Sequence, residues 1–499
     1  MTLKPVTLQD KYDLSCGQVF VSGTQAIVRM LLMQRERDRR AGLNTAGFVS
    51  GYRGSPIGGL DQQLWAAGDV LSGSDIRFQP GLNEELAATA CWGTQQAELG
   101  GHGAHDGVFA LWYGKGPGVD RSGDALRHGN AYGSAPKGGV LVVAGDDHGC
   151  VSSSMPHQSD VAFMTWFMPT LNPASVEEYL EFGEYGFALS RFSGTWVGFK
   201  AISETVESGR SVELRPDRRF VIPEFDFPPG GLHVRRADLP SVEIETRIGH
   251  KLRAVEAFVE ANPIDRHIYE VPDAQFGIVT TGKGHLDLME ALRLLGVNEA
   301  KCRELGIDIY KVGMVWPLAR RDALDFVRGK REVLVVEEKR GIIESQFKEY
   351  FYDWPGAKPE KMVGKHDAAA TRDLVPWTGE LEPLALVPIV AERLDRFFPG
   401  EALPEKARAL LEEAAELNDP QAQYVLGLSY LEGPGGFSDP GKGAFWLGRA
   451  ARRGNTAAQV YYGILRFQGK GVEPDEKEAA DWFERAAQAG NPVAMNRLA

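Results

Sequence analysis

Cysteine is scarce. Cys16, Cys91, Cys150 and Cys302 are the only four, and no two stand as a Cys-x-x-Cys pair. That spacing argues against a disulfide framework and against a thiolate zinc or iron–sulfur site in these residues. Basic charge is also short. Lys and Arg number 55 against 68 Asp and Glu, which gives a net charge of −13 and a sequence pI near 5.4. A nucleic-acid binder needs a basic footprint for phosphates, so no nucleic-acid partner is expected. The N-terminus, Met-Thr-Leu-Lys-Pro-Val-Thr-Leu-Gln-Asp-Lys, lacks an apolar signal core, and no run is long and apolar enough to span a bilayer. These absences lead to the expectation of no membrane contact and a cytoplasmic location.

Glycine is abundant, at 58 residues, many of them between residues 47 and 150, where loops that carry chemistry would need it. Apolar residues at 43% and charged residues at 25% are ordinary for a globular protein. With 499 residues the chain exceeds the ~250–300 at which one core stops growing, so several domains are expected.

Short β-rich runs alternate with helical patterns in the first part. Ala46–Ser50, Ile76–Gln79, Asp106–Tyr113, Gly139–Ala144 and Thr195–Ala201 read as strands, and Ile57–Leu71, Asn83 onward and Ser175–Ser190 as helices. This order predicts a largely parallel sheet with helices on both faces. The continuous run Val140-Leu141-Val142-Val143 suits a strand buried on both sides. From Leu214 to Ala274, prolines, a Gly-Gly pair and Arg pairs loosen the pattern, so 214–274 reads as a connection holding one helix, Arg247–Ala261. A second βαβ region follows over 275–400, with strands at Gly277–Thr281, Ile307–Val312 and Glu332–Glu337. Residues 403–499 are Ala-rich and repeat at 36 residues: Trp446 recurs as Trp482, Ala450-Ala451 as Ala486-Ala487, and Ala422 as Ala458 and Ala494. Such a period marks a helical solenoid, and so few repeats should pack on the preceding domain or on a partner.

Glu84 begins a helix behind Asn83, a good N-cap, and close to the carboxyl end of a strand, where open parallel sheets place ligands. Glu84 and Glu85 are about 100° apart on the helix, so at most one faces inward. As ordinary first-turn acids both would simply favour the helix N-terminus. Two glycine-rich loops, Gly51-Tyr52-Arg53-Gly54-Ser55-Pro56-Ile57-Gly58-Gly59 and Gly114 to Asp124, follow strands. Neither is a Walker loop or a dinucleotide fingerprint. They read either as tight strand-to-helix turns, Pro56 suiting a first helical position, or as a place where Arg53 or Arg121 meets an anionic substrate. A third loop, Gly145 to Gln158, follows the strongest strand; its Asp146, Asp147 and His148 read as a substrate or partner-domain contact rather than metal ligands. His102 and His105 read as structural. Gly282-Lys283-Gly284 reads as a strand-to-helix turn, with phosphate the lesser alternative.

Over residues 1 to about 398 the chain resembles the N-terminal part of the fused indolepyruvate ferredoxin oxidoreductases, members of the thiamine-diphosphate-dependent 2-oxoacid:acceptor oxidoreductases. The resemblance rests on Val21-Ser22-Gly23-Thr24-Gln25-Ala26, Ser50-Gly51-Tyr52-Arg53-Gly54-Ser55-Pro56, Arg77-Phe78-Gln79-Pro80-Gly81-Leu82-Asn83-Glu84-Glu85, Tyr113-Gly114-Lys115-Gly116-Pro117-Gly118-Val119-Asp120-Arg121, Val142-Val143-Ala144-Gly145-Asp146-Asp147-His148 and Tyr310-Lys311-Val312-Gly313-Met314-Val315-Trp316-Pro317. Residues from about 403 resemble Sel1-like repeats, relatives of the tetratricopeptide solenoids.

The resemblance implies an α/β protein of two parallel-sheet three-layer domains plus an all-α solenoid. The expected parts are a thiamine-diphosphate pyrimidine-binding domain (1–213), a linker region (214–274), a transketolase C-terminal-like domain (275–400) and the repeats (403–499). The family's activating glutamate falls on Glu84, which would hydrogen-bond the aminopyrimidine and favour the tautomer that removes the C2 proton. Gly54 and Ser55 would lie beside the cofactor, and Arg53, Ser55 and Arg121 beside the substrate. Relatives continue into a domain that binds diphosphate and magnesium. Here the sequence turns into repeats, with no Gly-Asp-Gly followed by an asparagine and no cysteine cluster. Magnesium and an iron–sulfur centre are therefore expected only on partner chains. The implied function is oxidative decarboxylation of a 2-oxo acid, of the indolepyruvate or aryl pyruvate kind, with ferredoxin as acceptor and a partner chain carrying the diphosphate-binding domain. The alternative is an inactive, enzyme-derived scaffold that binds protein partners through its repeats.

Overall fold

The computed structural model describes residues 7–498 apart from residue 9 and residues 151–154, 215–217, 237, 239–240 and 433–437. Strand β1 (Gln18–Ser22) leads into the capped helix Gly23–Arg40, where Ser22 and Gln25 form a reciprocal capping box. Next come β2 (Thr45–Gly51), β3 (Ile76–Phe78), β4 (Gly107–Lys115), β5 (Val140–Gly145), β6 (Thr170–Leu171) and β7 (Trp196–Lys200), mutually parallel, while β8 (Gly209–Glu213) returns antiparallel on β1. All six residues of β5 are buried, as its unbroken apolar run requires in a sheet covered on both faces. One face packs Val49, Leu111, Leu141 and Val197 against the helices Gly23–Arg40 and Val176–Ser193. The other packs Trp112, Val142 and Trp196 against Ala88, Val119 and Leu126.

The second sheet holds β9 (Arg266–Tyr269), β10 (Phe276–Thr281), β11 (Ile307–Val312), β13 (Glu332–Val336) and β14 (Lys361–Val363), in the order β14-β13-β10-β11-β9, with β9 alone antiparallel; β12 (Met314–Trp316) lies between β11 and β13 in the chain but belongs elsewhere. β12 adds antiparallel to β6 and completes the first sheet, whose order is β12-β6-β7-β5-β4-β2-β3. The two α/β units thus share a strand. They are also joined by ion pairing of Lys311 with Glu178 and by Asn172 Nδ2 donating to Thr281 Oγ1 at 3.3 Å.

Two local expectations differ from the structure. Pro56 does not open a helix: it sits in a turn after a cis Ser55–Pro56 bond, and the helix begins at Gly59 and is interrupted at Ala67. The stretch read as a connection is packed: Val255, Phe258 and Ile264 join the first core, Lys251 Nζ donates to Asn130 O at 2.9 Å, and β9 belongs to the second sheet. Its apolar positions at 255, 258 and 259 explain why, since they form one buried stripe of the Glu243–Ala261 helix.

The C-terminal helices Leu403–Glu416, Pro420–Glu432, Pro440–Arg452, Thr456–Gln468, Glu476–Gln488 and Pro492–Leu498 form the solenoid. Ala422, Ala458 and Ala494 are fully buried where helices meet. The period extends to the caps: the backbone N–H groups of those three alanines donate to Asp419, Asn455 and Asn491 at 2.5, 2.8 and 3.1 Å. The first helix packs Leu403 and Ala407 against Leu386 and Val390 of the second α/β unit, as so short an array needs.

Candidate active site

The loops after β2, β3, β4 and β5 gather at the carboxyl edge of the first sheet. Backbone bonds hold them together: Tyr52 N donates to Tyr113 O at 3.1 Å, and Gly81 N to Gly51 O at 2.8 Å. Glu84 is the first residue of the helix Glu84–Gln95, behind the N-cap Asn83, whose side chain accepts from Leu86 N at 2.9 Å. Its carbonyl accepts from Trp112 Nε1 at 2.9 Å, which ties the start of the helix to β4.

Of the two neighbouring acids, Glu84 is buried at 8% exposure and Glu85 is exposed, as the 100° step between them requires. The Glu84 carboxylate makes no hydrogen bond to a described residue, and the nearest cationic atom is Arg121 Nε, 4.0 Å from Oε2. The side chain keeps 10% of its surface exposed, so its carboxylate remains open to a donor brought from outside the chain. Gly118 lies against it: a Cβ there would stand 2.7 Å from Glu84 Cγ and 2.9 Å from Oε1. With glycine at 118 the helix Gly116–Arg121 approaches Glu84 without displacing its side chain; a larger residue would make the carboxylate give way.

The other expected site residues are placed more loosely. Arg53 and Ser55 are exposed in the loop after β2, and no described contact links them to Glu84. Gly54 lies against Lys115; a Cβ would stand 2.8 Å from its Cδ. Arg121 is half exposed and, among the described residues, is the one arginine within 4.0 Å of the Glu84 carboxylate. Among the described residues no group of three or more His, Cys, Asp or Glu could hold a metal ion.

The third loop turns towards the second α/β unit. His148 Nδ1 lies 3.0 Å from Glu338 Oε2, Lys339 Nζ donates to His148 O at 2.5 Å, and Gln158 exchanges two hydrogen bonds with the Arg340 backbone. Burial opposes the Glu338 charge, but His148 and Lys283 hold its carboxyl down at about 2. Lys283 is committed to Asp287 at 2.9 Å and Glu380 at 3.2 Å, so the glycine turn around it presents no free cation to phosphate. Burial pushes Asp287 up to about 7. Sequence reasoning missed Asp120, His157 and Lys200, which stand near this edge. Two of the three lay inside quoted motifs, but their pairing is set by tertiary contacts.

The sequence profile described as an indolepyruvate oxidoreductase domain matches residues 266–419, and Sel1 repeats match 420–455 and 456–491. Indolepyruvate oxidoreductase subunit IorA of Pyrococcus abyssi is 25% identical over 416 residues, 80% of this chain and 56% of that protein. The Methanothermobacter marburgensis subunit of the same name is 24% identical over 329 residues, 64% of this chain and 48% of that protein. The chain spans about half the length of the curated relatives it matches. A 2-oxoglutarate:ferredoxin oxidoreductase from Magnetococcus marinus shares the fold with a TM-score of 0.52 at 13% identity, over 76% of this chain and 65% of that one. The resemblance read from the sequence therefore holds: the chain is related to indolepyruvate oxidoreductase subunits and ends in Sel1 repeats.

Proposed function

We propose that residues 1–213 form the pyrimidine-binding half of a thiamine-diphosphate site in a 2-oxoacid:ferredoxin oxidoreductase acting on indolepyruvate or a similar aryl pyruvate in the cytoplasm. Residues 214–274 join this half to a transketolase C-terminal-like domain over 275–400, and the repeats occupy 403–499. The observation that carries the reading is Glu84 itself, largely buried at the helix start beside Gly118, with its carboxylate accepting no hydrogen bond from a described residue. When bound, the cofactor would supply the carbanion chemistry that lets a 2-oxo acid lose carbon dioxide. Glu84 would hold or pass a proton at a ring nitrogen of the aminopyrimidine, a role for which its fixed backbone and shielded carboxylate suit it. Gly54 and Ser55 would border the cofactor. Arg53, Ser55 and Arg121, on the exposed rim, would meet the substrate carboxylate, which arginine matches with two parallel hydrogen bonds.

The diphosphate-binding domain, magnesium and an iron–sulfur centre would come from partner chains, and ferredoxin would take the electrons. Diphosphate needs its own donors and metal, and such oxygen-ligand sites are built from convergent carboxylates. A second reading is favoured by the Sel1 repeats, which would make the chain a scaffold for protein partners. A complex isolated through a tag on this chain separates the two. Turnover of indolepyruvate with a viologen acceptor, dependent on added thiamine diphosphate and magnesium, supports the enzyme. A complex that turns over no 2-oxo acid favours the scaffold. The purified chain alone should be inactive and bind the cofactor weakly, so turnover by the isolated chain would refute the split site.

A further inference from the structure

The short helix Gly116–Arg121 is gripped from two sides. Gly118 faces Glu84, as described. Gly116, two residues earlier and so about 200° round the helix, lies under His157: a Cβ at 116 would stand 2.1 Å from the ring Cγ and 2.3 Å from Nδ1. The same imidazole reaches both neighbours. Nε2 is 2.8 Å from Asp120 Oδ2, on the gripped helix, and Nδ1 is 3.5 Å from Asp146 Oδ1, immediately after β5. Asp146 is fully buried and held in turn: Ser159 donates to it from its backbone N at 2.9 Å and from its hydroxyl at 2.6 Å, and Lys200 Nζ at the end of β7 stands 3.9 Å away.

We infer that His157 is a positioning residue: by bridging Asp120 to Asp146 it presses the Gly116–Arg121 helix onto Glu84 and sets how closely that helix stands to the carboxylate. This inference takes its functional meaning from the thiamine-diphosphate reading, but the clamp itself does not depend on it. The contacts explain the glycine spacing of the loop after β4 as two close approaches rather than a phosphate cradle. They also give the third loop a role at both ends, since His148 reaches the second α/β unit while His157 reaches the site.

Charge decides the bridge. His157 is faced by Asp120 from the gripped helix, by Asp146 from the end of β5 and by Ser159 at the start of the next helix, with Asp160 and Lys200 beyond Asp146. Burial works against its charge, but the two carboxylates outweigh burial and raise it to about 9, so the bridge is cationic at neutral pH. Arginine at 157 should keep the bridge, and glutamine should break it.

The test uses the full chain and its tagged complex, with His157→Gln, His157→Arg and Asp120→Asn, each checked by melting curve. Hydrogen exchange of the 119–121 amides should speed up by about tenfold in His157→Gln and Asp120→Asn, as expected for losing one charge-assisted hydrogen bond. The Glu243–Ala261 helix should be unchanged, and His157→Arg should stay near the wild type. In the complex, the wild type should need more thiamine diphosphate as pH passes about 9, His157→Arg should not, and His157→Gln should need more at every pH. Unchanged exchange in His157→Gln and Asp120→Asn overturns the inference, as does an arginine variant that behaves like the glutamine one. A wild-type complex indifferent to thiamine diphosphate refutes the proposed cofactor while exchange still decides the clamp.

Discussion

Gly118→Ala separates fold from function most sharply, because the two should move in opposite directions. The backbone at 118 is helical, and alanine is a better helix former than glycine by roughly 0.8–1 kcal/mol. The new methyl would meet Glu84 Cγ at 2.7 Å and Oε1 at 2.9 Å. Carbon contacts prefer about 3.5–4.0 Å, so the carboxylate must retreat by about 1 Å. It can do so, since the contact is with a flexible side chain and not with backbone. Melting should therefore be unchanged or slightly raised. A misplacement of about 1 Å at a catalytic group costs on the order of 10²-fold in rate, so turnover by the complex should fall by that order. Gly249→Ala is the matched control. It lies at an exposed position of the Glu243–Ala261 helix with nothing within 4 Å of its added Cβ, and should gain about 0.5–1 kcal/mol with no change in rate. Steady-state turnover beside calorimetry on all three proteins decides it. Wild-type turnover in a folded Gly118→Ala complex would refute the reasoning.

Two further outcomes follow from the buried charges. Because His157 is raised from an ordinary value near 6.5 to about 9, its contribution to stability is full below about pH 6.5 and is lost as pH rises through about 9; the melting-temperature gap between the wild type and His157→Gln should close over that window. Arg393 and Glu332, at 1% and 2% exposure and 2.5 Å apart, tie the Pro383–Asp395 helix to the second sheet, so Arg393→Met should cost about 3–5 kcal/mol in chemical denaturation by stranding the Glu332 charge, and adding Glu332→Gln should recover much of it.

Much of the fold was legible because local signals agreed with tertiary ones. The apolar runs of β2 and β5, the Asn83 cap and the 36-residue alanine period each specify their element without distant help. β6 and β12 were not legible: two or three residues make no period, and their pairing depends on the second unit folding back onto the first. Pro56 misled because a proline after a turn residue suits a tight turn as well as a helix start. Helical geometry allowed only one of Glu84 and Glu85 to face inward, and the resemblance, not the geometry, chose Glu84. The clamp was not legible, since His157, Asp120 and Asp146 come from three separate elements and nothing in their spacing announces that one imidazole bridges two carboxylates.

The central claim is that Glu84 moves a proton at the cofactor and is not simply a helix-start acid. The measurement that tests it most directly is indolepyruvate turnover by the tagged complex carrying Glu84→Gln, with Glu85→Gln in parallel and melting curves for both. Glutamine keeps the size and can still hydrogen-bond, but it cannot exchange the proton. A loss of ~10²–10⁴-fold for Glu84→Gln, with Glu85→Gln near the wild type and both folds intact, is the predicted result. Equal turnover by Glu84→Gln and the wild type, with at most a few tenths to ~1 kcal/mol lost in stability, would contradict it.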